Sequence, residues 1–228
     1  MQTLGDRKKE IELLMRYAVP EAHRQEAAAV VETYGGDSIV LNLLHDFYSR
    51  LPGAVDDGIK TLRLLARSQG TFLFCATTFL NDYLYIASPA DVFFLGKLAD
   101  GIGDDEVLRF FGFTDQKTFA DRTRDLDGFE IHTPADRDKT LCPVCAAADG
   151  EYHTLGCPVE LCPWCGGQLT RCNCRFEQLD LEQLDDETDV ERLREKLEAA
   201  GRIPFATEQR PAYPTMDDNE DEAEPELI

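Results

Sequence analysis

The sequence predicts a mainly α fold, with α+β as the alternative: a helical N-terminal domain, a small β-rich, cysteine-rich module, a short helix and an acidic tail. Three observations carry that reading. Apolar residues recur at helical spacing through the first third of the chain, residues 142–174 hold seven of the eight cysteines, and acidic residues gather at the C-terminal end. The boundaries this suggests are 1–135 for the helical domain, 136–178 for the module, 179–206 for a helix and apolar clip, and 207–228 for the tail.

The first helix is expected over residues 6–18, where Ile11, Leu13, Leu14 and Tyr17 are the apolar positions. Pro20 suits the first turn of a second helix that runs through Val31 and stops near Gly35 and Gly36. Asp37 or Ser38 can cap a third, in which Ile39, Leu43, Leu44, Phe47 and Tyr48 form an apolar stripe. Residues 55–67 repeat the pattern with Ile59, Leu62, Leu64 and Leu65.

Residues 71–87 admit two readings. Phe72, Ala76, Phe79, Leu80, Tyr83 and Ile86 can line one side of a helix, which is preferred, while a turn at Asn81-Asp82 would make the same stretch a hairpin. The run is too short and interrupted to cross a membrane, which takes about 20 apolar residues. Cys75 falls inside it as a buried core thiol. Ser88-Pro89-Ala90-Asp91 then reads as a helix start, Ser as N-cap and Pro at the first helical position, followed by Phe93, Phe94, Leu95 and Leu98. Two short helices over 104–111 and 114–122 break at Gly112, and their Phe110, Phe111, Phe113 and Phe119 are expected to pack inward rather than meet a partner.

Residues 121–139 are polar and read as a linker, with His132 solvated inside it. His23 and His45 have no second ligand at i+4. Beyond the module, Thr188-Asp189-Val190-Glu191 forms a capping box for a helix carrying Leu193 and Leu197 and ending at Gly201. Ile203-Pro204-Phe205 is an apolar clip able to dock back on the body. Residues 215–226 hold many acids and almost nothing apolar, the composition of a disordered, solvated tail.

The module carries the chemistry. Its pattern is C-x2-C-x7-H-x3-C-x4-C-x2-C-x6-C-x-C, from Cys142, Cys145, His153, Cys157, Cys162, Cys165, Cys172 and Cys174. Thiolates and imidazole suit Zn²⁺, and a structural zinc takes four of them in a closed tetrahedron, whereas a catalytic one keeps a position open. Eight donors fill two closed shells, one Cys₄ and one Cys₃His, so two structural zinc ions are expected. Cys142-Pro143-Val144-Cys145 and Cys162-Pro163-Trp164-Cys165 are matched knuckles whose separation, C-x2-C-x16-C-x2-C, is itself a zinc signature.

The spacing leaves the sharing of donors open. In a nested arrangement the two knuckles hold one ion together, and His153, Cys157, Cys172 and Cys174 hold the other; in a sequential arrangement the first four donors form one site and the last four the second. The matched knuckles favour nesting, since loop-closure entropy grows only slowly with length. Other uses of the cysteines fit less well. A redox dithiol needs only one C-x-x-C, at a helix N-terminus. A disulfide framework implies secretion, and residues 1–9 are polar with no apolar leader after them. Iron–sulfur ligation lacks its C-x2-C-x2-C run.

Through the Cys-Pro-x-Cys knuckles the module resembles the zinc-ribbon and treble-clef class. More narrowly, the string His153, Gly156-Cys157, Glu160, Cys162-Pro163-Trp164-Cys165-Gly166-Gly167-Gln168-Leu169, Cys172-Asn173-Cys174 is similar to a zinc-binding tail found on small uncharacterised bacterial proteins. That resemblance covers about 35 of the 228 residues, and Ala146 stands where the first knuckle would usually have Gly. It implies zinc and a bacterial or phage origin, but no activity.

Charge narrows the function class. With 44 acidic against 23 basic residues the net charge is −21, and more than half of it lies beyond residue 175. Phosphate binding draws on clustered Lys and Arg, and the module offers only Arg171 and Arg175. There is no phosphate loop, G-x-S-x-G elbow or H-E-x-x-H helix, so no catalytic residue is assigned. The expectation is a cytoplasmic, acidic protein-interaction protein, an adaptor or inhibitor, with zinc as a structural staple and a protein as partner, no membrane contact and nucleic acid disfavoured. A nucleic-acid-associated regulator and an enzyme with its site in the helical domain are the alternatives.

Overall fold

A computed structural model describes residues 3–134, 141–184 and 186–209. The chain is α+β rather than mainly α, and its centre is a four-stranded antiparallel meander in which each strand pairs with the next in sequence. The expected segments at 135–140 and 210–228, including the end of the linker and most of the acidic tail, lie outside the described residues.

Three helices precede the sheet: α1 (Leu4–Ala18), α2 (Arg24–Thr33) and α3 (Ser38–Arg50). Thr3 caps α1 by accepting from the Asp6 N–H, and Asp6 reaches back to Thr3. Asp37 caps α3, its buried carboxylate accepting from the N–H groups of Ile39 and Val40 at 3.0 Å each. Helix α3 buries Ile39, Leu41, Leu43, Leu44 and Phe47 almost entirely, so it is the centre of the helical layer. These three helices match the sequence expectation, although in α1 Leu13 and Tyr17 are exposed and Met15 and Ala18 are buried beside Ile11.

The next three do not. Residues 55–67, read as helical, form β1 (Ile59–Ser68); residues 71–87 form β2 (Thr71–Thr78) and β3 (Asp82–Ala87); and the helix expected after Ser88 is β4 (Val92–Lys97). Each has a physical reason. Irregularities between Ile59 and Thr61 and between Leu64 and Ala66 break the register of β1. A bulge adds a residue to one strand and changes which face later side chains occupy. Ile59, Leu62 and Leu64 therefore face the α1–α3 side and Leu65 the other, a spacing that imitates a helical stripe.

Strands β2 and β3 are covered on both faces, and such strands read as continuous apolar runs that periodicity cannot tell from buried helix. Phe72, Phe74, Ala76, Tyr83, Tyr85 and Ala87 pack under α1–α3, while Leu73, Cys75 and Leu84 turn to the opposite core. Before β4, Ser88 does cap something, but it is a tight turn. Its Oγ accepts from the N–H groups of Ala90 and Asp91, and its own N–H donates to the Asp91 carbonyl at 2.8 Å.

The opposite face of the sheet is covered by α4 (Asp105–Phe110) and α5 (Gln116–Thr123), capped by Asp104 and Asp115 and separated at Gly112, whose φ is +78°. Phe111, Phe113 and Phe119 are buried there, and Cys75 is fully buried among them. Phe110 is instead 38 % exposed.

His132, expected to be solvated, has only a tenth of its side chain exposed. The chain near it lies along the outer edge of β1, with Ile131 bridging Arg63 and the His132 N–H donating to the Leu62 carbonyl at 2.8 Å. That docking stands the ring edge-on to Phe74 and 3.4 Å from Asp37 Oδ2. Two further helices follow the module, α6 (Cys174–Leu179) and α7 (Glu187–Ala199). Asp186 rather than Thr188 caps α7, and Leu193 and Leu197 bury its inner face.

Candidate metal centres

The β1–β2 connection is a two-residue hairpin turn, Gln69 at φ +49° and Gly70 at φ +72°. Positive φ at both central residues is the conformation whose twist matches flanking strands. Its tip presses on the module. A Cβ placed on Gly70 would lie 1.8 Å from the Cys145 carbonyl oxygen, so only glycine allows this approach. Around it, Arg67 donates through Nε and Nη2 to both carboxylate oxygens of Glu151 at 3.0 Å, and the Thr154 hydroxyl donates to the Gln69 carbonyl at 2.9 Å.

Both knuckles are built alike. The Cys142 N–H donates to the Ala147 carbonyl and the Ala146 N–H to the Cys142 carbonyl; the Cys162 N–H donates to Gly167 and the Gly166 N–H to Cys162, all at 2.7–2.9 Å. Ala146 and Gly166 hold equivalent left-handed positions, at φ +59° and +72°. In each turn the N–H groups of the second and third following residues point at the first cysteine's sulfur, Val144 and Cys145 at Cys142, Trp164 and Cys165 at Cys162. Backbone amides aimed at sulfur favour the thiolate, the form that binds metal. The module was expected to be β-rich. Among its described residues it shows only the isolated bridges Leu141 to Ala148 and Leu161 to Gln168, because each knuckle closes on itself as a turn.

The eight donors fall into two groups: Cys142, Cys145, His153 and Cys157, and Cys162, Cys165, Cys172 and Cys174, with the ligand atoms of each group within 4.8 Å of one another. This is the sequential arrangement, not the nested one favoured from spacing. The distances suit a tetrahedral ion. Zn–S bonds of about 2.3 Å give tetrahedral edges of about 3.8 Å; Cys142 Sγ and Cys157 Sγ are 3.8 Å apart, and Cys145 Sγ lies 3.3 Å from His153 Nδ1. Each cluster can hold one metal ion such as zinc.

The environments differ. All four donors of the first cluster are buried, His153 completely, whereas in the second Cys162 is buried, Cys172 and Cys174 are half-buried and Cys165 is exposed. Hydrogen bonds from Cys145 and Cys157 hold the Cys142 thiol down at about 3, while Cys142 and Cys145 push Cys157 up. Donors that stabilise a thiolate among themselves already form a seat for a cation.

The first cluster has a second layer that sequence reasoning missed. His153 presents Nδ1 to the cluster, and its Nε2 lies 3.1 Å from Gln209 Oε1. Gln209 in turn donates to the Pro204 carbonyl at 3.1 Å. A partner on the far ring nitrogen fixes the tautomer and the ring's orientation. Arg202 donates through Nε to Glu160 Oε1 and through Nη2 to the His153 carbonyl, each at 2.7 Å, and both charged side chains are almost fully buried. Burial raises the Glu160 carboxyl despite the guanidinium beside it. The 203–205 clip docks here: Phe205 is 2 % exposed, packs with Cys142, Cys145 and Cys157, and exchanges backbone hydrogen bonds with Gly150 and Glu151. Glu160 and Arg202 are 42 positions apart, and no local pattern marks a pair at such separation.

Among the described residues no helix is long and apolar enough to cross a membrane. No family model matches the chain, and no curated protein or solved structure shows significant similarity to it. The likeness to zinc-ribbon tails therefore remains one of motif.

Proposed function

We propose that this chain is a binding protein, most simply an acidic protein-interaction protein, in which two zinc ions act as structural staples. One observation carries the reading: every donor of each four-donor cluster is a protein side chain, so neither shell keeps the open position that metal-assisted hydrolysis needs. The second layer around His153 supports it, since Arg202, Gln209 and Phe205 tie a distant segment to the cluster and the four donors are buried. The metals then supply folding free energy to a segment with few large apolar groups.

Metal analysis of the purified chain tests this directly. Two zinc per chain are expected, one after Cys142→Ala and one after Cys165→Ala, each with new protease cleavage greatest in the altered half of the module. An unchanged zinc content in either variant would sink the ligand assignment. Hydrolysis of a phosphate, peptide or ester substrate that disappears with either ion would sink the structural role.

A further inference from the structure

A groove of about 600 Å³ opens between the β1–β2 hairpin tip, α4, the module and α7. Its apolar walls include Phe110, the one phenylalanine of its group that is not packed inward, together with Leu155, Val190 and Leu193. Its only charged lining residues among those described are two guanidinium groups, Arg175 and Arg194, beside uncharged polar groups such as Thr154 and Thr170. In a chain with 44 acidic and 23 basic residues, no Asp or Glu among the described residues lines this groove. The neighbouring acids of α7, Glu187, Glu191 and Glu195, are exposed and lie outside it.

Arg175 is set in place by a 2.8 Å hydrogen bond from Nη1 to the Leu169 carbonyl and by the Phe176 ring 4.6 Å from its guanidinium carbon. Among the described residues it has no carboxylate partner, and neither does Arg194. A guanidinium carries five donors and is always charged. An apolar cleft of this size with two guanidinium groups that have no carboxylate partner among the described residues is suited to a small molecule of apolar body and anionic head, and the volume falls in the ordinary range for such sites.

We propose that this groove binds a small monoanionic amphiphile, an aromatic or branched apolar body bearing one carboxylate or sulfonate. The anion pairs with Arg194 and Arg175, and the body lies against Phe110, Leu155, Val190 and Leu193. The proposal deepens the binding role given above and rests on it. One wall is the loop between His153 and Cys157, another the stretch between Cys165 and Cys172, and a third begins directly after Cys174. Each cluster therefore holds part of the groove in shape.

The probe is 1-anilinonaphthalene-8-sulfonate, titrated by fluorescence into the zinc-loaded full-length chain at low salt. The net charge of −21 repels a sulfonate from the rest of the surface. Saturable binding of one probe per chain is expected. Arg194→Gln, at an exposed position on α7, weakens it about tenfold, as expected when one charge-assisted hydrogen bond is removed. Val190→Glu, which puts a carboxylate into the groove, abolishes it. N-phenyl-1-naphthylamine, the same body without the sulfonate, binds about tenfold more weakly than the sulfonate to the unaltered chain and does not respond to Arg194→Gln.

Zinc content and thermal midpoint are read on every variant. Two zinc per chain with no saturable probe binding overturns the groove and leaves the staples standing, whereas a zinc content below two overturns the staples instead. Equal affinity for the charged and uncharged probes, or binding indifferent to both substitutions in folded, zinc-loaded variants, also overturns the proposal.

Discussion

Gly70 is the point at which the sheet and the first metal cluster meet, and Gly70→Ala should separate them. Two costs are distinguishable. The residue sits at φ +72°, where an L side chain costs about 1–2 kcal/mol. In addition its Cβ would come within 1.8 Å of the Cys145 carbonyl oxygen and 3.1 Å of the Ala147 nitrogen. Both neighbours are backbone, so no side-chain rotation relieves the overlap, and the hairpin tip must withdraw from the knuckle. Withdrawal strains the bidentate Arg67–Glu151 pair and the Thr154 hydrogen bond to Gln69, and breaking either interaction costs about 1 kcal/mol.

The expected destabilisation is about 3–4 kcal/mol, the backbone cost together with that of the broken interactions. Gly150→Ala is the control, since that residue has φ +82° with nothing within 4 Å of an added Cβ and should show the backbone cost alone, about 1–2 kcal/mol. Urea unfolding followed by far-UV circular dichroism gives both values, with zinc content measured alongside. If Gly70→Ala lies within about 0.5 kcal/mol of Gly150→Ala, the ordinary scatter for a surface change, the proposed close docking of hairpin on knuckle is refuted.

Three further outcomes follow from other parts of the structure. Arg202→Met leaves the buried Glu160 carboxylate without its cation and should cost about 3–5 kcal/mol; Glu160→Gln in the same chain should recover part of that loss, and a strictly additive double-mutant cycle in urea would contradict the pairing. Gln209→Ala removes the partner of His153 Nε2 and should weaken zinc about 10–100-fold at the first cluster, more than at the second, read by competition with a chromogenic chelator. Burial lifts the Cys75 thiol from 9.0 to about 12. A raised value in the folded state means its stabilisation is complete below pH 9 and declines as pH rises toward 12, with a slope of about 1.4 kcal/mol per unit. Cys75→Ala should therefore show a shallower loss of stability over that range, and parallel curves would place the thiol in water.

The parts of the molecule legible in the sequence are those whose information is local. The cap at Asp37 and the stripe of α3 lie within a turn or two of what they act on, and the eight donors of the module fall in the single run 142–174. The sheet was hidden because its strands break the rule used to find strands. Bulges in β1 gave Ile59, Leu62 and Leu65 helical spacing, and burial of β2 and β3 on both faces removed the alternation. The donors could be named but not shared out, since spacing alone satisfies both pairings. The sequential pairing has its reason in the backbone. Each knuckle closes as a separate hydrogen-bonded turn, and Val159, packed with Cys142, Cys145 and Cys157, anchors the chain between the two clusters.

That anchoring bears on what the metal sites do for the rest of the protein. The module has two small apolar clusters, one around Phe205 and the first set of donors, the other around Leu169, Leu179, Leu193 and Leu197 beside the second. Neither is large enough to hold a shape alone, and each has cysteine ligands among its members. A metal in each cluster would therefore fix a small core from within, and the two cores are joined through Glu160: its carbonyl accepts from the Leu169 N–H at 2.9 Å, and its side chain from Arg202. Losing either ion should reach the other cluster through this residue. Removal of the more exposed second ion by a chelator would then weaken the first site as well, while a chain carrying Glu160→Gln with Arg202→Met would release its two ions independently.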